Sequence, residues 1–253
     1  MSGDTKPVNI ITIKWGNKYS HDYVNRLFRG VRRNISRPAN FVCFTEDSDG
    51  IEEWIDVQPL PHFDAPESHL WCNWRKISLF RDDLPIEGHT LFLDLDLLIT
   101  GSLDCFFDFG DPDSVPIIHN WIEPHKTLFR PRPEIGNSSV FRFQANKFGF
   151  IYEQYLREMK WGMKNFNPPQ TYLTHCIRPY MCYWPSEWVI SFKRHLQQPF
   201  PLNWIMPAKM PSDDAKIIAF HGRPNPDEAV AGFKGKKLHH KVKPTAWVNR
   251  YWQ

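Results

Sequence analysis

Missing from this 253-residue chain is any apolar run long enough to cross a bilayer. Its opening, MSGDTKPVNIIT, also lacks the basic start, long apolar stretch and small-residue cleavage site of a secretory leader, so a cytoplasmic location is expected. No C-x-x-C pair occurs among the five cysteines, Cys43, Cys72, Cys105, Cys176 and Cys182. An odd number in a large core fits reduced, buried thiols better than a disulfide framework and speaks against zinc. A strong charge bias is missing too. The 31 Lys and Arg against 28 Asp and Glu leave a net charge of +3, too little to expect a nucleic-acid partner. No internal repeat or low-complexity tract is present, and 42% apolar with 23% charged residues excludes a disordered chain.

What is present suits one soluble domain with a sizeable core. Eleven Trp and an aromatic fraction of 15% supply rings mainly for packing, and some for stacking on sugars or bases. Val8 to Lys14 is short and β-branched, a buried first strand followed by a Gly16-Asn17 turn. Ser20 is placed to cap a helix in which Tyr23, Val24, Leu27, Phe28 and Val31 recur at helical spacing. Phe41 to Thr45 and Trp54 to Val57 read as further strands, Trp74 to Arg81 as helical, and Thr90 to Ile99 as one apolar strand. Val115 to Ile118, Ser138 to Phe143 and Lys216 to Phe220 are strands, and Phe148 to Met159 a helix. Residues 161–210, rich in Pro and aromatics, read as short helices and loops, and the basic run Lys234 to Lys243 as a solvated loop. Strand, helix, strand at the start implies an α/β layered fold.

The chemistry centres on Asp94 and Asp96 in TLFLDLDLLI. In a continuous strand, period-two geometry puts both carboxylates on one side, where a divalent cation with oxygen ligands relieves their repulsion. A bare D-x-D at a solvated strand end is the plainer alternative. Haloacid-dehalogenase-type phosphatases also place D-x-D after an apolar strand, but usually the first strand, and two or three precede it here. Nucleotide-sugar glycosyltransferases of the GT-A fold have the matching order.

The chain resembles bacterial GT-A glycosyltransferase-like proteins distantly related to the glycogenin type. The resemblance runs through IKWGNKYSHDYVNRL, WRKISLF, LFLDLDLLITGSLD, NSSVFRF, PSEWVISFK and FHGRPNP, over nearly the whole chain. It implies one GT-A-like domain over 1–253, a mixed sheet flanked by helices, with the nucleotide-binding part about 1–104 and the acceptor and donor-sugar part about 105–253. It also implies that His221 joins Asp94 and Asp96 as a metal ligand, for Mn²⁺ or Mg²⁺; imidazole beside carboxylates favours Mn²⁺ over Ca²⁺. Lys14, Trp15 and Tyr19 would hold base and ribose, with Gly16 allowing close backbone approach. Arg75, Lys76, Gly222 and Arg223 would meet the diphosphate or donor sugar, and Lys234, Lys236 and Lys237 are alternative phosphate ligands. Asn137 and Ser138 would hydrogen-bond the donor sugar, and Asp96 and Gln170 would serve catalysis.

The implied reaction is hexose transfer from a nucleoside-diphosphate sugar, UDP being the commonest nucleotide, to an acceptor hydroxyl. One departure bears on it: Pro169-Gln170 stands where the glycogenin type has Asp-Gln. Retention or inversion is therefore open, and a degenerate sugar-binding protein without turnover remains an alternative. A sugar-phosphate nucleotidyltransferase fits less well, since IKWGNKYS supplies no Gly-rich phosphate loop.

Overall fold

The computed structural model describes residues 6–69, 72–121 and 134–253. Its centre is a seven-stranded mixed sheet in the order β3-β2-β1-β4-β7-β6-β8. Strands β1 (Val8–Lys14), β2 (Ala39–Thr45), β3 (Asp56–Gln58) and β4 (Gly88–Leu93) run parallel to one another. Strand β7 (Gly136–Ala145) is antiparallel to both β4 and β6 (Val115–His119), and β8 (Met181–Tyr183) closes the order parallel to β6. A second sheet sets β10 (Ile217–Ala219) between β5 (Leu97–Ile99) and β9 (Val189–Ser191).

Alternation along β1 and β4 feeds two cores, as the period of a strand requires. Ile11, Ile13 and Phe92 enter one cluster, and Val8, Ile10, Leu91 and Leu93 enter the other. Helix α1 (His21–Arg33) covers the second face through Val24, Leu27, Phe28 and Val31. Gly30 lets α1 sit close to β5, since a Cβ at that position would meet Ile99 Cγ1 at 3.3 Å. Ser20 takes the N-cap position in extended backbone, but its carbonyl, not its side chain, accepts a bond, from Tyr23 N–H. Helices α3 (Phe150–Asn165) and α4 (Pro169–Ile177) cover the first face with Tyr155 and Tyr172. The short helix α2 (Asp104–Asp108) is held by buried Arg142 of β7, which donates to the carbonyls of Phe106 at 3.0 Å and Phe107 at 3.1 Å. Beneath the small sheet lies a third cluster containing Leu98, Ile218, Phe220, Phe192 and Trp252. No helix among the described residues is long and apolar enough to cross a membrane.

Three expectations are corrected. The apolar run Thr90 to Ile99 is not one strand: it breaks at Asp94, Leu95 and Asp96, and the pieces join different sheets. The helix expected over Trp74 to Arg81 is a buried 3₁₀ helix, Asn73–Phe80, which makes Arg75 and Lys76 interior groups. Within 161–210 the chain is more ordered than its prolines suggest. Pro169 sits at the first turn of α4, where its missing N–H costs nothing, and β8 and β9 follow.

Candidate active site

The break between β4 and β5 builds the site. Asp94 N–H donates to Ser139 O at 3.0 Å, fastening the start of the turn to the large sheet. Phe220 N–H donates to Asp96 O at 3.0 Å, extending the antiparallel β5–β10 ladder by one step. Leu95 is buried between the two acids, which leaves both carboxylates facing the same hollow without a continuous strand. The same ladder carries His221 to the turn, one residue beyond Phe220. A register shift between Ile117 and Ile118 opposite β7 frees Asn137 to Ser139 to approach from the other side, a common use of bulges beside sites.

The hollow is a cavity of about 420 Å³. Of the residues expected at a site, Trp15, Gly16, Tyr19, Lys76, Asp94, Asp96, Asn137, Ser138, Gln170, His221 and Gly222 line it. Lys14, Arg75 and Arg223 do not. Lys14 is buried with its ammonium 3.7 Å from Asp47. Arg75 donates to Pro61 O at 3.3 Å and lies over the Phe63 ring, and Arg223 is exposed and paired with Glu228 at 3.3 Å. Lys234, Lys236 and Lys237 are exposed and also outside the lining. Sequence reading missed Asn17, Lys18, Asn73 and Ser139. Lys18 had a signal in its place between Trp15 and Tyr19; Ser139 had none, since only its carbonyl and the bulge recruit it.

Among the described residues each acid has one side-chain partner. Lys76 Nζ lies 2.6 Å from Asp94 Oδ1 and also donates to Ser138 O at 3.0 Å, bridging β4 to β7. Tyr19 O–H donates to Asp96 Oδ2 at 2.8 Å. Burial, with the neighbouring Asp94 charge adding to it, raises the Asp96 carboxyl to about 7, although the Tyr19 bond and the charges of Lys18 and Lys76 pull the other way. His221 stacks on Trp121 at 5.4 Å, and its Nε2 lies 2.5 Å from Ser191 Oγ. Burial and the nearby Arg194, Lys193 and His195 lower its pKa to about 4, so the ring is neutral at pH 7.

A neutral imidazole and two carboxylates are the donor chemistry of a divalent cation site. Among the described residues no three His, Cys, Asp or Glu side chains yet converge on one point. Lys76, Tyr19 and Ser191 occupy the three candidate ligands, and an ion would have to displace them.

No family model and no curated protein matches the chain. Solved structures do. The galactosyltransferase LgtC, in complex with donor and acceptor sugar analogues, superposes with a TM-score of 0.59 at 13% identity, over 87% of this chain and 89% of that one. The glycosyltransferase GlyE of Streptococcus pneumoniae TIGR4 gives 0.59 at 12% identity, and the bifunctional glycosyltransferase WbbM 0.55 at 11%. Each is matched over 87% of this chain, which spans 56% of the GlyE chain and 46% of the WbbM chain. These likenesses support the glycosyltransferase-like architecture and lend nothing to the narrower glycogenin-type resemblance. With its seven-stranded mixed sheet and flanking helices, the chain has the GT-A glycosyltransferase fold.

Proposed function

We propose that the chain transfers a hexose from a nucleoside-diphosphate sugar, with uridine as the base, to an acceptor hydroxyl, and that it depends on Mn²⁺ or Mg²⁺. The observation that carries this reading is the convergence, in one cavity on this fold, of Asp94, Asp96 and His221 with Asn137, Ser138 and Gln170. Asp94, Asp96 and His221 would hold the ion, which when bound neutralises the diphosphate as charge builds on the leaving group. Trp15 and Tyr19 would form the base and ribose wall, although Tyr19 has a second duty as the donor to Asp96. Lys18, exposed at the cavity, takes the phosphate-facing place expected of Arg75 and Arg223. Asn137 and Ser138 would bind the donor sugar.

Gln170 lines the cavity from the first turn of α4 and would face the reacting sugar. A Gln→Glu variant of LgtC is described as an active-site mutant, which makes an active-site glutamine on this fold a supporting parallel. Calorimetry of UDP binding with and without Mn²⁺, on wild type and Asp96→Asn, tests the site. Mn²⁺ should tighten UDP binding to the wild type alone; equal affinities in all four experiments reject it. Hydrolysis or transfer of UDP-sugars then separates the enzyme from a protein that binds donor without turnover. Asn137→Ala should lower turnover more than UDP affinity, and Trp15→Ala should weaken UDP itself.

A further inference from the structure

Most of the exposed large apolar side chains among the described residues gather in one place. Phe200, Leu202, Trp204, Ile205, Met206 and Met210 crowd one segment, with Ile205 72% exposed, and Leu238, 61% exposed, joins them from another. The two segments form one surface. Trp204 Nε1 donates to Leu238 O at 3.0 Å, Asn203 Nδ2 donates to Lys241 O at 2.9 Å, and the Lys241 ammonium lies 4.2 Å from the Trp204 ring centroid. Leu196, Ala208 and Val242 face inward from the same stretches and fill the third core, so the outer row is what remains after the core is complete.

Charge identifies the occupant. Residues 200–210 and 234–241 carry five Lys and two His, and no Asp or Glu. A protein interface of this apolar content is normally depleted in Lys. Apolar and aromatic groups surrounded by lysines are instead the composition of a surface lying in the headgroup region of an anionic bilayer, its lysine stems covering apolar area while their ammonium groups meet phosphates. We infer that the face formed by Phe200 to Met210 and Lys234 to Lys241 docks on membranes containing anionic phospholipid. The inference does not depend on the proposed transferase activity. Behind this face Phe192 stacks on Phe220 at 4.4 Å, next in the chain to His221, so docking would hold the cavity close to the membrane surface.

The test is co-sedimentation of the full chain with phosphatidylcholine vesicles, with and without phosphatidylglycerol, at low and high salt. Binding should require phosphatidylglycerol and weaken with salt. Ile205→Asp, and separately Lys236→Glu with Lys237→Glu, should each lower partitioning about tenfold with unchanged thermal unfolding, because these side chains are solvent-exposed. Trp54→Ser, on the exposed Trp beside the arginines of α1, should change nothing. No binding to phosphatidylglycerol vesicles, wild-type binding by Ile205→Asp, or loss of binding in Trp54→Ser overturns the proposal. So does a dimer that Ile205→Asp dissociates in the absence of vesicle binding, since the face would then belong to a second copy.

Discussion

The phenol of Tyr19 donates to Asp96 across 77 residues of sequence, at 2.8 Å. Tyr19 comes from the loop after β1 and Asp96 from the turn between the sheets, so this bond joins the mouth of the cavity to its acidic floor. Removing the donor in Tyr19→Phe leaves a charged acceptor short of a partner, a loss of about 2 kcal/mol for a bond to an ionised group. Chemical denaturation above pH 7 should show it, with a smaller loss at pH 5, where Asp96 is protonated.

Asp96 has its own pH signature. Its carboxyl rises from an ordinary 3.8 in the unfolded chain to about 7 in the fold. The fold thus binds this proton more tightly, and the associated stability is present below pH 3.8 and lost as pH rises through 7. Asp96→Asn should leave metal-free stability nearly unchanged near pH 4 and raise it at pH 8. Equal effects at both pH values would show that the carboxyl is not strained by burial and Asp94.

His221 runs the opposite way. Its folded pKa is pushed down from 6.5 to about 4, so the stability it contributes is present above 6.5 and lost as pH falls through 4. In His221→Asn, the fall in melting temperature between pH 6.5 and 4 should be shallower than in the wild type. Asp96 gains stability over the whole of that range, so the comparison is cleanest in an Asp96→Asn background.

Lys76 is the third lever. Its buried ammonium serves Asp94 and Ser138 O together. Lys76→Met should cost about 3 kcal/mol, the penalty of stranding a partly buried charge, when read by denaturant titration. It should also move the Asp96 titration further upward, since the Lys76 charge currently holds it down.

Much of this architecture is legible in local pattern. β1 has the bounds its β-branched run implies, and the buried face of α1 follows its helical spacing. The break at Asp94 is not legible, because TLFLDLDLLI is apolar on both sides of it and a change of sheet leaves no compositional mark. Lys14 and Arg75 misled for a related reason: a polar residue next to a motif looks the same whether it faces a cavity or closes a core with Asp47 or Pro61 O. The partners Tyr19 and Ser191 of the candidate ligands come from distant segments that only tertiary pairing selects.

Asp94 is anchored through Ser139 to one sheet and Asp96 through Phe220 to the other. The gap between their carboxylates is therefore a dimension of the whole molecule, and a slide of one sheet past the other changes it. Enlarging or trimming Ile218, buried in the small sheet and absent from the cavity wall, should alter how the site answers to cations while every cavity residue stays the same. An ion gripping both acids would in turn act as a shear pin, and the two sheets should unlock together rather than one after the other.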